Sequence, residues 1–440
     1  MDKNHFFTFR KNLEGRFEPA YHIPEIASLD NEIRARSKKK LRDYIINIAS
    51  GATPSVTNSE LYSDSENGVP FIRVQNLKTT GQLDLSHVKY ISKHTHCNLL
   101  NRSQINEYDL LVKITGVGRM AIASVAPKGF EGNCNQHLVV IKTNSKETSD
   151  YLARYLNLNI IEKLATRRST GGTRPALDYP ALKSIPVVEG VDFSKIDLAI
   201  DIKKQKKQQA KRLLASIGVF LLNELGIQAP ILDNSLCKRI FTVNFSQITG
   251  DRLDAFAVLN KEYRISGGTY ENFKLREIAK IKKGQSITSN NIKEGNYPVI
   301  AGGQSSPYYH NKSNFEGNVI TVSASGAYSG YIWYHTKPIF ASDCSVIYSK
   351  DEDVISTQFL SEILKLKQQE IYNLQQGSGQ PHVYPSDLIK LDIPVPPKEK
   401  QMELLDKIKK IRHDAKELKD QASDIIDQAQ KEVEQMILGK

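Results

Sequence analysis

Apolar side chains recur near the C-terminus at steps of mostly four and three: Leu404, Ile408, Ile411, Ala415, Leu418, Ala422, Ile425, Ala429, Val433 and Met436. Such spacing puts one apolar seam along a helix and calls for a partner helix. Pro396 and Pro397 stop what precedes it and suit a helix start. About 40 residues at ~1.5 Å each make a rod of roughly 60 Å. A second helical run starts at Ser194, with Asp197 as a capping-box partner, and continues through Leu198, Ile202, Ala210, Leu213, Ile217, Phe220 and Leu221 to a stop at Gly226. Its seam is interrupted by Lys203, Lys204, Lys206 and Lys207, a basic cluster suited to phosphate, to an acidic partner surface or to plain solvation. Before each long helix lie short β-like runs between Gly-rich turns: VPFIRV, LLVKIT and HLVVIKT, then YPVIAG, NVITVSAS, YIWYH and CSVIYS. Helical segments follow at YLARYLNLNIIEKLATR and FLSEILKLKQQEIYNLQ.

The order of these elements occurs twice. The segment from Phe7 to Glu18 is answered by that from Phe241 to Asp254, at an offset of about 235 residues. KKLRDYIINIASGATPS (39–55) parallels NFKLREIAKIKKGQSIT (272–288), with Leu41 answering Leu275 and Gly51 answering Gly284. VPFIRVQNL (69–77) parallels YPVIAGGQS (297–305), and STGGTRPALDYPALKSIPV (169–187) parallels GSGQPHVYPSDLIKLDIPV (377–395). Matches in the same order at slowly drifting offsets indicate a duplicated unit, too large for a solenoid repeat. The expected fold is α+β: two globular domains separated by long, antiparallel coiled-coil helices, with a pseudo-twofold internal repeat. The expected boundaries are 1–191 for the first globular domain, 192–228 for the central helix, 229–396 for the second domain and 397–440 for the C-terminal helix.

Composition narrows the class. The chain has 440 residues, 40% of them hydrophobic and 25% charged, which suits a soluble multidomain protein. No apolar run approaches the ~20 residues of a membrane span, and the first residues carry no apolar signal region, so a cytoplasmic protein is expected. Four scattered cysteines, Cys97, Cys134, Cys237 and Cys344, make no disulfide framework. Sixty Lys and Arg against 49 Asp and Glu give +11, a balance that favours a polyanionic partner. Phosphate-loop, zinc-helix and nucleophile-elbow motifs are absent, as is an [Asp/Asn]-Pro-Pro-[Tyr/Phe] tetrapeptide. His94, His96 and Cys97, and Cys134 with His137, read as structural histidines and a buried thiol, with no metal site expected; the copy of the second cluster falls at Asp343-Cys344.

The Tyr-Pro-x-x-Leu and Ile-Pro-Val elements, Pro-Pro-Lys-Glu-Lys-Gln (396–401) before a long helix, the Leu-Arg openings, VPFIRVQNL and GNCNQHLVVI (132–141) together resemble the specificity subunits of type I restriction-modification enzymes. The resemblance spans both halves and rests on motif order repeated twice. It implies that each half is a target recognition domain reading one part of a bipartite double-stranded DNA site. It further implies that the helices act as a ruler and dock two methyltransferase subunits, with restriction/translocase subunits as further partners. This chain would then be non-catalytic and hold no cofactor; S-adenosylmethionine, and ATP and Mg2+ for restriction, would be bound by the partners. Two departures stand out. The sequence IPVVEGVDFSK lacks the Pro-Pro-x-x-x-Gln pattern, and Arg16/Glu18 and Arg252/Asp254 precede the Leu-Arg openings. Similar segments occur in specificity subunits of related type II systems with a fused methyltransferase-nuclease, which is the alternative reading beside a stand-alone DNA-binding regulator.

Reading DNA takes polar side chains at base edges and cations on phosphates. The loop-edge candidates in the first half are Arg73, Gln75, Asn76, Lys78, Lys113, Arg119, Arg167, Arg168, Thr170 and Arg174. In the second half they are Gln304, Ser305, Tyr308, Tyr309, His310, Ser323, Tyr328, Gln375, Gln376, Gln380 and His382. Leu404, Ile408, Ile411, Ala415, Leu418, Ala422 and Ile425 are the expected partner-facing seam.

Overall fold

Strands Leu110–Lys113 and Leu138–Lys142 are apolar at nearly every position because both faces of the sheet they form are covered. The computed structural model describes residues 16–229, 263–306, 308–377 and 379–439, with isolated positions 235, 242, 244 and 258–260. Of the features noted in the sequence, Phe7, Phe241, Arg252, Asp254 and Cys237 lie outside the described residues. The chain divides into two compact units: unit 1 runs to Lys206 and resumes at Asp420, and unit 2 is Lys207–Lys419.

In unit 1 an antiparallel sheet runs in the order Asn47–Ser50, Leu138–Lys142, Leu110–Lys113, Ala123–Val125. Leu110, Val112, Val139 and Ile141 join a core with Leu152, Tyr155 and Leu156 of helix Lys146–Leu156. The alternate residues Leu111, Leu138 and Val140 turn to the other face and pack on Ile72, Leu77 and Cys134. That second core belongs to a five-stranded sheet in which Val69–Ile72 lies parallel to Gly132–Cys134. Helix Pro24–Arg36 precedes the sheets and packs on helix Asn159–Arg168.

Unit 2 has an antiparallel sheet in the order Ala279–Lys283, Cys344–Ser349, Val319–Ser323, Ile332–His335. Ile320, Val322 and Ile347 meet Phe359, Leu360 and Ile363 of helix Thr357–Leu366, while Val319, Cys344 and Val346 meet Ile300 and Ala341 on the opposite face. Tyr297–Ile300 lies parallel to Phe340–Ala341 in a three-stranded sheet.

Backbone register corrects two residue pairings drawn from the sequence. Ile72 stands opposite Cys134 and Ile300 opposite Ala341, so Ala341, not the Asp343-Cys344 pair, occupies the place of Cys134. Leu41 N donates to Ile185 O at 2.8 Å, and Leu275 N to Leu391 O at 2.8 Å. Ile185 therefore answers Leu391, two residues before the Ile393 that matching of the Ile-Pro-Val strings selects. The pairing of Gly51 with Gly284 has a steric reason. A Cβ on Gly51 would sit 1.9 Å from Cys134 O, and one on Gly284 would sit 2.1 Å from Ser342 O.

The long helices are Ser194–Glu224 and Lys398–Leu438. Leu404, Ile408, Ala415 and Ala422 are buried, with Ile411, Leu418 and Ile425 half-buried. Near the end the seam departs from the sequence pattern: Ala429, Val433 and Ile437 are buried while Met436 is 46% exposed. At the start of the first helix Ile196 and Ala199 are buried and Leu198 is exposed. Asp197 bonds to Arg154 at 2.7 Å, and the helix start is held instead by Asp192, which accepts from Ser194 N at 2.8 Å. In unit 1, Lys195 pairs with Glu432 at 2.6 Å and Lys206 donates to Gln421 at 2.8 Å, so these segments run antiparallel. In unit 2, Lys400 pairs with Glu224 at 2.7 Å. No helix among the described residues is long and apolar enough to cross a membrane.

His335 is buried beside Thr321 Oγ1 at 2.8 Å, and burial pulls its pKa down from 6.5 to about 4. The unfolded chain then binds the extra proton first, so stability from this group is complete above pH ~6.5 and drains away as pH falls towards ~4. Urea midpoints read from Trp333 between these limits should fall by the equivalent of up to about 3 kcal/mol, and His335→Asn should flatten that slope.

Candidate nucleic-acid interface

The loop after each core helix pair is built the same way in both units. Thr170 and Ala176 exchange both backbone hydrogen bonds at 2.8 Å, as do Gln376 and His382. Each loop turns at a glycine with positive φ, Gly171 at 90° and Gly377 at 94°, a conformation that other residues adopt only with strain. The loop is fastened to the turn after the central strand: Leu177 N donates to Ile114 O at 2.7 Å and Gly116 N to Pro175 O at 3.1 Å. In unit 2, Val383 N donates to Ala324 O at 3.0 Å and Gly326 N to Pro381 O at 3.0 Å. Buried Leu177 and Val383 anchor the far sides.

In unit 1 these turns border a cleft of about 290 Å³ lined by Val74, Lys113, Thr115, Gly116, Val117, His137 and Arg174. Thr115 Oγ1 lies 2.5 Å from His137 Nδ1. Lys113 is 3% exposed, its ammonium donating to Val117 O at 2.7 Å and Arg119 O at 3.0 Å, and burial holds its pKa below the usual lysine range. It braces the turn and leaves at most one donor for a ligand. Arg174 and the apolar Val117 are exposed at the rim.

The structure sorts the sequence candidates sharply. Arg167 and Arg168 are 6% and 3% exposed and belong to the interior. Both pair with Asp30, Arg168 at 2.7 Å, and Arg34 joins the same carboxylate at 3.0 Å. Arg167 also donates to Tyr21 O at 2.7 Å and lies 3.9 Å over the Tyr21 ring. Asn76 is buried, accepting from Arg73 N at 2.9 Å and donating to Asp84 O at 2.9 Å. Arg119 is half-buried, held by Asn159 at 2.7 Å and by Asn157 O. His310 accepts from Lys293 N at 3.1 Å and packs edge-on to Phe340, and Ser323 is buried. Gln375 and Gln376 donate to Ser329 O and Asp387, both at 2.8 Å. These side chains hold loops in shape. Arg73 and His382 are half-buried, the latter stacked on Tyr384.

Gln75, Lys78, Thr170 and Arg174 of unit 1, and Gln304, Ser305, Tyr308, Tyr309, Tyr328 and Gln380 of unit 2, remain exposed. Lys78 is engaged by Asp84 at 3.1 Å. Sequence reasoning missed exposed Tyr384 and Val117, and the cleft-lining Thr115 and His137. The recurring Gly-rich loop was the signal that could have led to the last two. Of the histidine and cysteine clusters, His94 and Cys97 are exposed while His96 and Cys134 are buried. His96 bonds to Glu131 at 2.9 Å and to Asn133, and burial pushes the Cys134 thiol up to about 12. Among the described residues, no group of three or more His, Cys, Asp and Glu is placed to hold a metal ion.

Residues 268–427 match the family model described as type I restriction modification DNA specificity domain, the family that the sequence motifs resemble. The matched segment lies in the second half of the chain. Solved structures with similar shape include a type I restriction-modification S subunit from M. genitalium, at 16% identity and a TM-score of 0.40 over 90% of this chain and 95% of that one. Another is an HsdS subunit from Thermoanaerobacter tengcongensis, at 15% identity and a TM-score of 0.36 over 91% and 95% of the two chains. A third comes from work on complex assembly and conformational transition of the type I R-M system, at 15%, 0.45, 91% and 96%. These likenesses are loose in shape and remote in sequence. No curated protein matches the chain.

Removing the Asp30 carboxylate leaves two buried guanidiniums uncompensated. Asp30→Ala should cost unit 1 about 3–5 kcal/mol, read as lost hydrogen-exchange protection in Pro24–Arg36 and Asn159–Arg168, while exposed Gln75→Ala should cost under about 0.5 kcal/mol.

Proposed function

We propose that this chain is the DNA-specificity subunit of a type I restriction-modification system, with each unit reading one part of a bipartite site. The observation that carries the reading is the family match over 268–427 together with the recurrence, bond for bond, of that segment's loop closure in unit 1. Matched sheet order and a long helix following each globular part further support a duplicated origin for the two units. The net charge of +11 suits a polyanionic duplex. On this reading the long helices fix the spacing between half-sites and dock two methyltransferase subunits, restriction/translocase subunits joining them. Adenine methylation, with S-adenosylmethionine, belongs to those partners. The chain itself positions DNA and does no chemistry.

The purified chain should bind a bipartite duplex with an affinity that falls linearly on logarithmic axes with salt, each neutralised phosphate adding about −0.9 to the slope. It should transfer no methyl group from S-adenosylmethionine without a methyltransferase subunit. Salt-independent binding, or methyl transfer by the chain alone, would overturn the assignment. Inserting four residues into the middle of both long helices should lengthen the unread gap in the selected site and leave both half-site sequences unchanged. Selection of the original gap by that variant would count against the helices as a spacer.

A further inference from the structure

The cleft of unit 1 has a counterpart at the same backbone place in unit 2, furnished with different chemistry. Ile114 N donates to His137 O at 2.9 Å where Ala324 N donates to Asp343 O at 3.2 Å. Thr115 Oγ1 meets His137 where Ser325 Oγ donates to Asp343. Lys113 and Ser323 stand at matching places on the central strands, and each side chain donates to carbonyls of the turn that follows. Arg174 and Gln380 each lie three residues beyond the positive-φ glycine and directly before the proline that accepts from Gly116 or Gly326. The positions held by a lysine, a histidine and an arginine in unit 1 are thus held by a serine, an aspartate and a glutamine in unit 2.

We propose that Arg174 and Gln380 are position-matched base readers, Arg174 selecting guanine in one half-site and Gln380 selecting adenine in the other. This assignment rests on the specificity-subunit reading and names its discriminating residues. Both side chains are exposed, and among the described residues neither makes a side-chain hydrogen bond or ion pair. Each is carried on a loop closed by reciprocal backbone bonds, so the backbone is held before binding and only the side chain's own freedom is lost. The guanidinium fork matches guanine O6 and N7, and a glutamine amide matches adenine N6 and N7. A phosphate-gripping role suits unit 2 poorly. Glutamine is no counter-ion, and the neighbouring Asp343 carboxylate would repel phosphate. Base-edge reading fits both positions with one geometry.

The test is selection of duplexes by the full-length chain from a library randomised at both half-sites, for the wild type, Arg174→Gln, Gln380→Arg and Arg174→Lys. Arg174→Gln should shift one base preference from guanine towards adenine in one half-site only, and Gln380→Arg should make the converse change in the other. Each should alter discrimination at that position by roughly 5- to 150-fold. Arg174→Lys should relax the guanine preference while keeping the salt slope, because it retains charge and loses the fork. An unchanged consensus, whether affinity falls uniformly or stays the same, would overturn the assignment and leave the specificity-subunit reading standing. A wild-type chain that enriches no bipartite sequence would instead overturn that reading, and the assignment with it. Thermal melts unchanged from wild type should accompany both swaps, since the side chains are exposed and unbonded.

Discussion

The reciprocal backbone hydrogen bonds that close each Gly-rich loop are the constraint on which both candidate surfaces depend. They join Thr170 to Ala176 and Gln376 to His382, and further backbone bonds tie each loop to the turn after a central strand. Each bond contributes only about 1 kcal/mol net, but together they fix a short loop whose glycine already holds the one conformation that permits closure. None of these bonds uses a side chain. The loop therefore carries Thr-Arg-Pro-Ala in one unit and Gly-Gln-Pro-His in the other with the same closing backbone bonds. A loop held by its backbone leaves its side chains free to differ between the two units.

The fold was legible where one physical effect dominated the sequence. Strands buried on both faces read as unbroken apolar runs, and helices with one buried stripe read as steps of three and four. From Leu404 to Ala422, where alanines and large aliphatics alternate at heptad-like steps, the seam positions are buried or half-buried. The seam was misread at Met436 because a helix with 3.6 residues per turn drifts off a strict 3.5 repeat, and the buried position passes to Ile437. The Ile-Pro-Val match slipped by two residues for a similar reason. In a strand a shift of two keeps every side chain on its own face, so apolar identity alone cannot separate the two registers. Only the hydrogen bonds of Leu41 and Leu275 do.

The interface was less legible because residue type does not report burial. Arg167 and Arg174 look alike in sequence, each beside a Gly-rich loop. One is enclosed against Asp30 and Tyr21 and the other projects into solvent. The cause lies far away in the chain: helix Pro24–Arg36 brings Asp30 under the end of helix Asn159–Arg168, and a buried carboxylate demands cations nearby. Lys113 is a subtler case. It lines the cleft, yet most of its donors are committed to carbonyls of its own turn. Loop residues expected to act on a ligand are often occupied in building the loop.

Unit 1 also illustrates how chain order and folding can part company. Its core is completed by Ala429, Val433 and Ile437, which pack with Ile161 and Leu164 although more than half the chain separates them in sequence. The same segment satisfies a helix end that has no cap of its own. Asn159 N and Ile160 N donate to Glu434 at 2.6 and 3.2 Å, in place of a side chain at Leu158. Burial raises the pKa of that carboxylate, and the two amide donors oppose the shift. Orphaned helix N–H groups are costly when buried, so the C-terminal turns are part of what makes unit 1 a folded object. Unit 2 lies wholly between the two pieces of unit 1 in the chain. A chain cut after the second globular part would therefore damage the first.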